Sequence, residues 1–296
     1  MPATLPVLAL LFNALVWGVS WWPLRSLHEA GLHPLWATAL VYLAALLCMV
    51  LLMPASARSF LRSPVLWLLA AAAGLTNICF NWAVTLGDVV RVVLLFYLMP
   101  AWSVLLAWWI LGERPSLLAV LRLVLAFAGV VLVVLPDGAP LARVASGLSS
   151  TDFLAVAGGF FFALTNVFLR RFNRTPERDR MLAMFSGGFV MAAAGALAAT
   201  WTGLASAPPA PAAGWLLVAA GLALAFVLGN LGLQYGAARL AAGTTALVML
   251  SEVLFASLSS WLLDAAQLSP RMLAGGALIV LAALLALWPG RAGGKP

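Results

Sequence analysis

The strongest constraint in this chain is a recurring one: about ten apolar runs of ~18 to 25 residues follow one another with only short polar breaks. Each run is long enough to cross a hydrocarbon core of ~30 Å as a helix rising 1.5 Å per residue. Such a chain cannot be a soluble domain. The composition agrees, with 65% apolar and 8% charged residues against roughly half and a quarter in soluble proteins. The breaks are too short for a soluble catalytic or nucleic-acid-binding domain, so the sequence pI near 10.7 is no sign of a nucleic-acid partner.

Charges, prolines and turn residues place the runs near Leu5–Leu24, Pro34–Met53, Pro64–Leu86, Val89–Leu111, Leu117–Leu135, Phe153–Phe172, Met181–Trp201, Ala212–Tyr235, Ala241–Leu263 and Pro270–Trp288. Pro34, Pro64 and Pro270 stand at starts, where a missing N–H is harmless, and Pro23, Pro54 and Pro136 stand at ends. The predicted fold is an all-α integral membrane protein of ten helices. The first run lacks a basic leader and an A-x-A site and is expected to stay in the mature fold.

With ten spans both termini share a side. Placing them in the cytoplasm puts twelve of the 16 basic residues inside, among them Arg170, Arg171, Arg174, Arg178 and Arg180, and only Arg25, Arg91, Arg143 and Arg271 outside. The arginine-rich loop reads as an anchor against anionic lipid. The expected setting is a bacterial inner membrane, with the chain a multi-pass protein and a monomer.

Shifting the sequence by 153 residues places Asn77 on Asn230, Asn81 on Gln234, Trp82 on Tyr235, Trp108 on Trp261 and Pro136 on Pro289. The expected halves are residues 1–140 and 141–296. Five spans is an odd number, so the second half enters the membrane from the opposite side. This is the inverted-repeat construction of secondary transporters, in which two bundles rock about a site near the midplane.

Residues Tyr97-Leu98-Met99-Pro100, the Leu111-Gly112-Glu113-Arg114-Pro115 close of the fourth span and Ser251-Glu252 in the ninth, set in this ten-span pattern, resemble the EamA-type branch of the drug/metabolite transporter superfamily. Where family members repeat Glu-Pro and Gly-Glu in the second half, this chain has Glu252-Val253 and Asp264. The resemblance implies a ten-helix transporter without cofactor, and within the superfamily the aromatic-rich core is similar to bacterial aromatic amino acid exporters.

Glu252 is the single acidic residue deep within a run. An ionisable group there costs ~2.5 to 3.5 kcal/mol on insertion scales and normally meets a cavity or a partner. Either it faces a transport cavity, drawing an ammonium group or exchanging a proton, or it sits protonated in a bond between helices. Asn77 with Asn81 and Asn230 with Gln234 are four apart, so each pair shares a helical face, and unpaired amides do not face lipid. Their two readings are substrate contact and helix-to-helix bonding. Asn13 with Trp17 and Phe162 with Asn166 repeat the spacing with a ring in place of one amide, and Phe80 and Tyr97 are further cavity candidates. Rings and amides facing inward suit a small amphipathic ligand. Trp21, Trp22, Trp201, Trp215 and Trp288 read as interface anchors, and Gly221, Ala225, Gly229, Gly232 and Gly236 as a close-packing stripe.

Enzyme chemistry finds no footing. The sole lysine is Lys295, in the tail, so a phosphate-binding loop is missing; His28 and His33 share one loop; Cys48 and Cys79 have no CxxC spacing and read as buried thiols. The expected function is export of small amphipathic metabolites, aromatic or hydrophobic amino acids first, by alternating access. A translocase of lipids or lipid-linked sugars, which would show a groove open to the bilayer, and a subunit without transport are the other readings.

Overall fold

The computed structural model describes residues 4–52, 60, 62–112, 117–134, 147–172, 174–237, 248–249, 251–265 and 269–287. In a medium without water a backbone must bond to itself, and the regular elements of the described residues are all helices. These are α1 (Thr4–Val19), α2 (Trp21–Glu29), α3 (Pro34–Leu52), α4 (Pro64–Leu86), α5 (Val89–Phe96), α6 (Met99–Leu111), α7 (Leu117–Val134), α8 (Ser150–Arg171), α9 (Glu177–Trp201), α10 (Ala213–Ala237), α11 (Ser251–Leu262) and α12 (Pro270–Leu287). Seven spans among them are long and apolar enough to cross a membrane. The protein is a multi-pass membrane protein. The expected fifth, ninth and tenth runs appear as α7, α11 and α12; the stretch 241–247 of the ninth lies outside the described residues.

Two runs read as single helices are broken. Span one yields at Ser20, and Pro23, expected to close it, instead sits in the first turn of α2, where no N–H is demanded. Span four breaks at Tyr97 and Leu98. Pro100 has no N–H to offer the Phe96 carbonyl, and the Leu98 N–H turns to Leu95 O at 3.1 Å. Other boundaries move for reasons of capping. Helix α8 starts three residues before Phe153 because Ser149 and Asp152 form a reciprocal capping box.

The halves interlock. Helix α1 packs against α10 and α11, and its counterpart α8 packs against α4, α5 and α6; α7 pairs with α12 and α3 with α9. This is the pairing pattern that a twofold relation between the repeats demands. The closest approach is between α4 and α9. A Cβ on Gly187 would lie 1.8 Å from the Ala70 carbonyl, and one on Gly74 would lie 2.3 Å from the Gly187 carbonyl. Tyr42 of α3 lies over Gly188. The α3–α10 contact, which mirrors α4–α9, is looser.

The packing stripe on α10 divides. Gly229, Gly232 and Gly236 face α1 at Asn13, Ala9 and Leu10, whereas Gly221 faces open space. Above the tight stretch α1–α2 and α10 part, leaving an apolar groove of about 540 Å³ lined by residues including Val16, Trp22, Leu217 and Gly221. Large apolar side chains such as Trp109 (83% exposed) and Leu217 (72%) cover the outside, as lipid-facing residues do. Trp21 departs from the anchor reading: it is buried, and its Nε1 donates to Ser259 Oγ at 2.9 Å, joining α2 to α11. Trp22 and Trp201 are exposed, Trp215 is half-buried with Nε1 donating to Ala210 O, and Trp288 lies outside the described residues.

Candidate functional site

The break in span four aims Tyr97 across the bundle. Its hydroxyl donates to Glu252 Oε2 and approaches the Met249 carbonyl, each at 3.1 Å. Glu252, in the first turn of α11, is 7% exposed. Asn13 of α1 reaches Met249, two residues before α11, its Nδ2 3.4 Å from Met249 Sδ, and is fully buried with Oδ1 lacking a hydrogen-bond partner among the described residues. Helix α1 comes this near because Gly18 lies against the Glu252 carbonyl and the Phe255 side chain. Asn13, Tyr97, Met249 and Glu252 therefore form one polar knot where α1, the break and α11 meet.

A run of aromatic rings leads away from the knot. Phe96 contacts Tyr97, Phe80 (4.7 Å between centroids) and Phe162 (5.5 Å). Phe80 meets Trp17, which stacks on Phe226 at 4.5 Å and 19°. Gly159 of α8 makes room for the break; a Cβ there would be 2.5 Å from the Phe96 carbonyl. Four of the rings expected from sequence, Trp17, Phe80, Tyr97 and Phe162, are thus in one network in mutual contact, with Phe96 and Phe226 added.

The amides of α4 look the other way. Tyr42 donates to Asn77 Oδ1 at 2.5 Å, and Asn81 Nδ2 donates to Thr38 Oγ1 at 3.2 Å, so both bond across to α3; Asn77 Nδ2 also reaches the Ala73 carbonyl. As one index rises by four the other falls by four, the register of antiparallel neighbours. Asn81 Oδ1 is buried without a partner. Asn166 and Asn230 are half-buried, on α8 and α10, and the Gln234 side chain lies outside the described residues. None of the ten expected residues whose side chains are described lines the apolar groove.

At the end of the bundle that carries the α4–α5 turn, ionic groups tie the elements together. Arg91 of α5 holds Asp152 of α8 bidentately (Nε 2.8 Å, Nη2 2.6 Å) and also bonds the Gly147 carbonyl. Arg25 donates to the Gly87 carbonyl and lies 5.1 Å from the Trp21 ring centroid. Asp88 caps α5 by accepting the Arg91 N–H at 2.8 Å. Burial pushes its carboxyl above the usual aspartate range, against the lowering pull of that N–H and of Arg25 and Arg91. Sequence reasoning passed over these arginines, and also Thr38 and Tyr42, whose four-residue spacing is the signal that marked Asn77 and Asn81.

A fold of interlocked membrane helices, crossed near a helix break by a buried acid and rings, is the architecture of a helical membrane transporter. The chain belongs to the EamA-like transporter family, whose sequence pattern matches residues 4–135 and again 149–288. A solved structure titled "Crystal structure of protein" is 22% identical, with 95% of this chain and 96% of that one covered at a TM-score of 0.59, which shows a shared fold. No curated protein matches the sequence.

Proposed function

We propose that the protein exports small amphipathic metabolites with an aromatic or hydrophobic part, through alternating access to the Tyr97–Glu252 knot. The observation that carries this reading is a carboxylate with one side-chain donor, buried where a discontinuous span meets the other repeat. Interrupted helices facing ionisable groups mark the sites of secondary transporters. Glu252 is suited to hold an ammonium group or a proton, and the rings from Phe96 to Trp17 offer faces for a flat apolar group. Both termini lie in the cytoplasm, by the basic-residue asymmetry, in a bacterial inner membrane. Two of the four arginines on the other side, Arg25 and Arg91, are bonded to protein, so they are accounted for without lipid.

Counterflow in proteoliposomes with a panel of labelled aromatic and aliphatic amino acids, amines and sugars tests the reading. Saturable, protein-dependent accumulation of ring-bearing solutes is expected; accumulation of none would overturn it. The apolar groove beside α10 favours one other reading, a lipid translocase, because an open groove with an almost wholly apolar lining suits an acyl chain. Protein-dependent scrambling of a headgroup-labelled phospholipid in the same vesicles would decide for that reading.

A further inference from the structure

The groups that meet at Glu252 are unevenly matched. Asn13 Oδ1 has no partner, and the Met249 carbonyl and Glu252 carboxylate share the one Tyr97 hydroxyl. The described side-chain donors nearby already have acceptors: Tyr97 those oxygens, Asn13 Nδ2 a thioether, and the amide nitrogens of Asn77 and Asn81 the Ala73 carbonyl and Thr38 Oγ1. Among the described residues two buried donors lack a partner, and neither is at the knot: Trp102 Nε1 stands among Phe127 and Phe160 on the α7–α8 side of the broken span, and Arg25 Nε lies at the bundle end, where the same guanidinium bonds the Gly87 carbonyl. The sequences of α1, α3, α4, α6, α10 and α11 contain no Lys or Arg, and Arg25 and Arg91 are engaged at the bundle end.

A zwitterionic amino acid brought here would satisfy the acceptors with its ammonium and leave its carboxylate desolvated among further acceptors. An ammonium has three donors and no acceptor. We propose that the preferred substrate is a protonated aromatic amine lacking a free carboxylate, its ammonium taken by Glu252 and Asn13 Oδ1 and its ring entering the aromatic run at Phe96 and Phe80. The proposal rests on the transporter reading and narrows its substrate class away from free amino acids. Loading requires the Tyr97 hydroxyl to release the acid, so the incoming ammonium replaces a donor that is already there.

The test is counterflow of four matched solutes, corrected for leak in protein-free vesicles: tyramine, tyrosine methyl ester, tyrosine and 3-(4-hydroxyphenyl)propionate. Tyramine and the ester, which carry the ammonium without the carboxylate, are expected to saturate at concentrations at least about tenfold below tyrosine, because a buried charge without a donor is strongly rejected. The propionate is expected not to move. Glu252→Gln and Asn13→Leu should each raise the half-saturating tyramine concentration at least about tenfold. Protection of the wild-type protein from heat by tyramine in detergent, absent with tyrosine at equal concentration, reads the same preference without relying on a variant that folds. Tyrosine moved as well as or better than tyramine would overturn the proposal and leave the transporter standing. If none of the four is moved or bound, the transporter reading for ring-bearing solutes falls and the proposal with it.

Discussion

At Asp88 the carboxylate does two opposed things: it caps α5, and it holds a charge in a place that water does not reach well. An acid whose folded pKa is raised binds its proton more tightly in the folded state, so stability is greatest below the ordinary aspartate range and declines as pH rises through the raised value. Asp88→Asn keeps an oxygen for the Arg91 N–H and removes the charge. Its unfolding temperature in detergent is expected to match or exceed wild type at neutral pH, and to lose the part of the pH dependence that Asp88 supplies. Asp88→Ala loses the cap and is expected to cost about 0.5 to 2 kcal/mol. Much at this scale was legible in the sequence, because a lone acid at membrane depth has few roles: Glu252 is buried and bonded between helices. The direction in which an amide points was not. Asn77 and Asn81 share a face, as their spacing requires, but which neighbour that face meets depends on Tyr42 and Thr38, and helix pairing is not written in one helix's periodicity.

Between elements, glycine decides how near two helices come, and the same residue type has opposite consequences at two places. Gly187→Ala would drive a methyl into the Ala70 carbonyl, a backbone atom that cannot swing aside. A loss of about 1 to 3 kcal/mol is expected, as for overpacking elsewhere. Gly221→Ala, facing open space, should leave the thermal unfolding temperature at or above wild type, since alanine is the better helix former. The sequence presented Gly221 as one of a packing stripe; four-residue spacing finds a shared face, but not how far along it the neighbour stays in contact. The Arg91–Asp152 pair joins α5 of one repeat to α8 of the other with Asp152 almost wholly buried. Arg91→Gln leaves that buried carboxylate without its counter-charge, with only the Ser149 N–H of the capping box as donor, and is expected to cost about 3 kcal/mol, whereas replacing both residues by a neutral pair should cost less. Thermal unfolding of the single and double variants reads both.

For the whole molecule, the repeat was visible in polar matches such as Asn77 with Asn230 and Trp108 with Trp261, and the bilayer dictated helices. What the repeat could not convey is that each half lends its first helix to the other, α1 lying against α10 and α11 and α8 against α4, α5 and α6. Apolar faces are interchangeable by composition, so the choice of partner rests on local devices: glycines opposite Asn13, Ala9 and Leu10, and the break at Tyr97 that Gly159 accommodates. This interlocking places the acid on a seam between repeats, where relative movement of the halves would change the side from which it is reached. The most direct measurement is labelling of Asn13→Cys, in a background with Cys48 and Cys79 replaced by alanine, by a membrane-impermeant thiol reagent added to one side or the other of sealed vesicles. The account predicts reaction from each side, slowed from both by a transported solute. Reaction from one side alone, or from neither under any condition, would contradict it.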